Sequence, residues 1–153
     1  MKARVCVLTL SLLFCASVCF AQDAQMGTWK LNHNASKFVP GATKNTTVIY
    51  EPAGDSIKIT VKGTDRNGNS VHSEWTGKFD GADYPVTGDP NADARSYKLA
   101  NARTLNFNAK KDGQVTVRGK VVISADGKTR TVTTEGKDAQ GKKTKNVAIY
   151  EKQ

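Results

Sequence analysis

Ile57-Lys58-Ile59-Thr60-Val61-Lys62 alternates apolar and polar side chains without a break. Each residue in such a stretch points ~180° from the last, so Ile57, Ile59 and Val61 share a buried face and both lysines a solvated one. A period of two belongs to a half-buried strand, not to a helix. The same texture extends outward on both sides. Val71, Ser73, Trp75, Gly77 and Phe79 share a face opposite His72, Glu74, Thr76 and Lys78. Val115, Val117, Gly119, Val121 and Ile123 repeat the pattern with Arg118 and Lys120 outward. Leu105 and Phe107 mark another strand, Val132 sits in a threonine-rich one, and Val147-Ala148-Ile149-Tyr150 forms the last.

Turn chemistry separates these runs. Asn67-Gly68, Asp112-Gly113 and Asp126-Gly127 predict hairpins, because a type I′ turn needs positive φ at both central residues. Gly54-Asp55, Asp80-Gly81 and Gln140-Gly141 are weaker versions. No stretch of ~10 residues carries helical periodicity; at most, Asp89-Pro90 opens a helical turn, with Asp as N-cap and Pro at the first position. The expected fold is all-β: a single antiparallel up-and-down β-barrel of about nine or ten short strands, reached through consecutive hairpins without a long crossover.

The first 21 residues read as a signal peptide. Lys2 and Arg4 precede an uncharged run from Val5 to Phe20, and small Ala21 follows at a cleavage position. That run is too short for the ~20 residues of a spanning helix, and no second apolar stretch follows it. The expected organisation is therefore a leader over 1–21 and one barrel domain over 22–153, exported to the periplasm or beyond the cell. Cys6, Cys15 and Cys19 all lie in the leader, which removes disulfide, thiolate-metal and cysteine-nucleophile chemistry from the mature chain. The 21 basic and 14 acidic side chains beyond residue 21 leave a net charge of +7.

Chemistry-bearing motifs are sparse. His33 and His72 form no pair, and no zinc-protease, serine-hydrolase or dinucleotide motif occurs. Gly136 to Lys142 has P-loop glycine and lysine spacing, but Lys143 replaces the hydroxyl residue and a strand follows rather than a helix, so it reads as a lysine-rich hairpin turn. Asp89, Asn91 and Asp93 match the first three ligand positions of a calcium loop, yet Ala94 and Ala100 stand where its glycine and closing glutamate belong; an Asx-rich loop is the preferred reading. The sequence names no catalytic residue, no metal and no cofactor. Positive charge suits attraction to an anionic envelope surface, whereas nucleic acid is not expected because the aromatics fall on buried faces.

Gly27-Thr28-Trp29-Lys30-Leu31 resembles the Gly-x-Trp opening of the calycins, the lipocalins and fatty-acid-binding proteins. Gly54-Asp55-Ser56-Ile57-Lys58-Ile59, Lys78-Phe79-Asp80, the Asp112-Gly113 and Asp126-Gly127 turns, and Ile149-Tyr150-Glu151-Lys152 continue that resemblance in order. Small exported bacterial lipocalin-like proteins of undefined function are similar too. The resemblance implies that Gly27 and Trp29 close the barrel base and that Tyr150 reaches inward. It also marks departures. Asn32 to Asn45 leaves no room for a two-helix lid, Ala148 replaces the final-strand arginine that holds a carboxylate, and the other interior arginine position falls near Val121 or Val122.

Without those arginines, Ile59, Trp75, Phe107 and Tyr150 would line an interior suited to a small, hydrophobic, neutral molecule. The expected function is a monomeric, non-catalytic carrier of such a ligand. The alternative is a ligand-free barrel, packed solid by its own side chains, acting through its basic surface on an envelope component or partner protein.

Overall fold

The computed structural model describes residues 23–138 and 140–153; the leader assigned to residues 1–21 lies outside them. Ten strands follow in chain order: β1 (Gly27–Lys37), β2 (Lys44–Ala53), β3 (Ser56–Thr64), β4 (Ser70–Gly77) and β5 (Asp80–Thr87), then β6 (Ala94–Asn101), β7 (Thr104–Lys111), β8 (Gln114–Ile123), β9 (Thr129–Lys137) and β10 (Lys143–Lys152). Each pairs antiparallel with its sequence neighbours, and β1 pairs with β10 to close the barrel. No helix among the described residues is long and apolar enough to cross a membrane.

Alternation sets which residues face inward. Ile57, Ile59 and Val61 are buried, and in register opposite them stand Gly77, Trp75 and Ser73, also buried. Leu105, Val121 and Ile123 continue the core across β7 and β8. The pattern weakens at the strand ends: Val115 is 39% exposed because it lies beside the β7–β8 turn. Phe79 lies in the β4–β5 turn rather than in a strand, yet its ring folds back to stack 6.4 Å from Trp75.

The turns follow a finer rule than Asx-Gly pairing. Only Asp112-Gly113 has positive φ at both residues, 49° and 76°, as type I′ requires. At Asn67-Gly68 only the glycine does, because Asp65 takes control: its carboxylate accepts the backbone N–H groups of Asn67 and Asn69 at 2.8 and 2.9 Å. Asp138 does the same for Gln140 and Lys142 at 3.0 and 2.9 Å, making the Gly136–Lys142 segment a hairpin end. An Asx turn therefore outranks the dipeptide where an Asp stands at its start.

The β1–β2 connection, residues 38–43, holds no helical lid. The β5–β6 connection, residues 88–93, is a turn closed by Ala92 N–H donating to the Asp89 carbonyl at 3.4 Å, without a helix.

Candidate functional site

The barrel interior is nearly full. An interior void of about 40 Å³ is lined by Tyr50, Ile59, Arg95, Phe107, Arg130 and Tyr150 among others. That admits little more than a water or two, far below the ~300–1,000 Å³ of a typical ligand pocket. Of the four anticipated lining residues, Ile59, Phe107 and Tyr150 border this void. Trp75 does not: it is buried in an aromatic stack with Phe79, Tyr84 and Tyr97, its indole N–H donating to the Arg95 carbonyl at 3.0 Å.

Gly27 and Trp29 sit at one end. Trp29 is fully buried and its indole N–H donates to the Gln25 carbonyl at 2.9 Å. Gly27 has φ +104°, and a Cβ there would meet the Lys152 side chain at 3.2 Å. Glycine thus lets Lys152 pass and cover the Trp29 ring, with Nζ 5.3 Å from its centroid.

The interior departs most from expectation in its charge. Two arginines, absent from the anticipated positions, border the void from β6 and β9. Arg130 is 2% exposed, and its guanidinium lies 5.2, 5.0 and 4.7 Å from the ring centroids of Trp29, Tyr50 and Tyr150. Its Nε and Nη1 have no hydrogen-bond partner, and no carboxylate pairs with it among the described residues. Three ring faces attract it, each such contact worth ~2 kcal/mol or more when desolvated. Burial pushes the Tyr150 phenol up to about 12 despite the opposing pull of Arg130. Tyr50 is raised for the same reason, again against Arg130. Tyr150 O–H donates to the Asn45 carbonyl at 2.9 Å.

Arg95 is treated differently. Its Nη2 pairs with the Asp89 carboxylate from the β5–β6 turn, and Nη1 lies 3.5 Å from the Tyr97 hydroxyl. Burial works against its charge, but Tyr97 and Asp89 outweigh it and raise its pKa. This pairing commits the first ligand of the calcium-like triplet. Asp93 is also engaged, accepting the Asp112 N–H at 2.8 Å. Among the described residues no group of three or more His, Cys, Asp or Glu side chains could hold a metal ion.

A signal for both arginines was present in the chain. Arg130 stands two residues before Val132, and Arg95 two before Tyr97, so the period of two already puts each on an inward face. The default that charge faces water concealed them.

No protein-family model and no curated protein matches the chain. Among solved structures it is similar to EF1p2_mFAP2b bound to DFHBI, with TM-score 0.51 and 12% identity over 90% of this chain and all of that one. It is also similar to the redesigned β-barrel b11L5F_LGL, with TM-score 0.50 and 14% identity over 90% of this chain and 99% of that one. Such likeness shows a shared antiparallel barrel fold, and fold alone does not carry function.

Proposed function

We propose that this is an exported, non-catalytic barrel of calycin type that binds a small organic molecule with an apolar body and an anionic group, the anion meeting Arg130. The single observation behind this is a buried guanidinium with two unpartnered nitrogens and no acid beside it. A buried charge without a counter-charge is costly. An oxyanion accepting from Nε and Nη1 would remove that cost with charge-assisted hydrogen bonds. The neutral ligand expected above presupposed no interior arginine, so the ligand's polarity is revised. The void takes the anionic head, and the body displaces interior side chains, with Phe107 and Val132 the partly buried apolar ones beside it. The similar barrel bound to DFHBI is an example of this fold holding a small molecule.

The filled interior favours the second reading, a ligand-free barrel acting through its exterior. A thermal-shift series separates the two, using dodecanoate and its methyl ester on the wild type and on Arg130→Met. Saturating ligand at ~100-fold above Kd stabilises by about 2.7 kcal/mol, so a bound carboxylate raises Tm measurably. The acid shifting only the wild type, and the ester shifting neither, supports the proposal. No shift, together with a bare mass by native mass spectrometry of protein from its own host, moves the assignment to the exterior. The mass of that protein also tests cleavage after Ala21.

A further inference from the structure

A second recess lies on the outside of the barrel, away from Arg130. It is an open groove of about 370 Å³ over β6, β7 and β8, lined by Ser96, Lys98, Asn106, Asn108 and Arg118. Gly119 has no side chain, and the Phe107 ring tucks beneath it so closely that a Cβ there would sit 2.1 Å from the ring. On the open side the register of β5 with β6 breaks between Asp80 and Asp83, and Gly81 adds no side chain.

The outward side chains form two rungs across these strands. One runs Ser96, Asn108, Arg118; the other runs Lys98, Asn106, Lys120. The acids nearest in register are committed elsewhere. Asp83, opposite Ser96, pairs with Lys110; Glu135, opposite Arg118, pairs with Lys145 at 3.3 Å. Asp80, opposite Lys98, accepts from the Tyr84 hydroxyl at 2.8 Å and the Ala82 N–H at 2.9 Å. Lys98, Arg118 and Lys120 therefore have no ion-pair partner among the described residues.

We infer that this groove binds an acidic polysaccharide. Cations flank β7 on both sides, with their strands two ladder spacings, ~9–10 Å, apart. One compact anion does not serve both sides, but an extended polyanion lying along β7 does. Between the cations, Asn106 and Asn108 offer amides without side-chain hydrogen bonds among the described residues, the complement of a hydroxyl-rich chain, while Ser96 at the groove floor is buried. A single-stranded nucleic acid calls for outward aromatic rings on which bases stack; the one ring at the groove, Phe107, lies beneath Gly119 on the inner face. A membrane surface calls for bulky apolar anchors, and the groove lining has none turned outward.

The test uses the whole mature protein and four probes at fixed salt: polygalacturonate, heparin, neutral dextran and a mixed-sequence single-stranded DNA. Lys98→Gln/Arg118→Gln is compared with Lys142→Gln/Lys143→Gln, which removes the same charge from the β9–β10 turn. Equal Tm values exclude misfolding as the cause of any difference. The expected result is binding of polygalacturonate or heparin, weakened about tenfold or more by the groove pair and less than about twofold by the turn pair. The carboxylated and sulfated probes distinguish which anion is preferred, and dextran stays unbound. Equal losses in both variants would reduce the groove to net-charge attraction and overturn the inference. So would DNA binding at least as tightly as either polysaccharide, or no binding at all.

Discussion

Arg130 and Arg95 border the same small void, yet the protein neutralises them by opposite means. Arg95 receives a carboxylate from the β5–β6 turn; Arg130 receives three ring faces and no acid among the described residues. The ion pair gives Arg95 its counter-charge inside the fold and leaves only its Nε without a partner. Arg130, held by ring faces without a counter-charge, keeps its Nε and Nη1 hydrogens unspent, so it is the better candidate for meeting something from outside. The contrast can be attacked from either side.

Removing a ring from the Arg130 cage has the largest expected effect. Trp29→Ala should cost ~3–5 kcal/mol in denaturant unfolding, the range for a core tryptophan; near-native stability would mean that this end of the barrel is not a packed one. Asp89→Ala should follow at about 2–3 kcal/mol, below the full cost of breaking a buried pair because both side chains keep slight exposure. The same change should leave the Arg130 end untouched, which amide exchange can check.

Alkaline pH probes the cage chemically. The Tyr150 phenol has its pKa raised from 10.0 to about 12. A raised value means a contribution fully present below pH ~10 and lost as pH rises through about 12. Wild-type stability should therefore fall by on the order of 2 kcal/mol across that window, and Tyr150→Phe should flatten the decline. Arg130→Met sharpens the contrast further. Replacing a buried, unpaired charge with an apolar chain of similar length should leave stability unchanged or raise it by about 1 kcal/mol. A large loss would mean that the ring faces fully satisfy Arg130. The smallest effect belongs to the exposed Lys145–Glu135 pair, where Lys145→Ala should move stability by less than ~0.5 kcal/mol and calibrate Asp89→Ala against a solvated ion pair.

The barrel was legible because its signal is repeated. Ile57 to Val61, Ser73 to Gly77 and Val117 to Ile123 each state the same period, and a local error in one is outvoted by the others. The site lacks that redundancy. Arg130 sits among Thr129, Thr131, Thr133 and Thr134, where only Val132 marks the inward face, so one apolar residue had to speak for the strand. The fate of Trp75 was hidden for another reason. Alternation puts it inside, but whether it borders empty space depends on how Phe79, Tyr84 and Tyr97 fold around it, which no single strand records. The Asp89–Arg95 pair joins a turn to a strand, and neither half of its motif points to the other.

The pairing of β1 with β10 bears on how this molecule comes to exist. Asn32 and Glu151, bonded across that seam at 2.8 Å, are 119 residues apart. Loop-closure entropy must be met before so distant a contact yields any return, and chains dominated by such contacts fold slowly. Until β10 docks, β1 and β9 are unpaired edges, and unpaired edges recruit other strands. Tyr150 arrives with that same strand and supplies one of the three rings around Arg130. The guanidinium is thus enclosed by the same contact that seals the wall, since Trp29 comes from β1 and Tyr150 from β10.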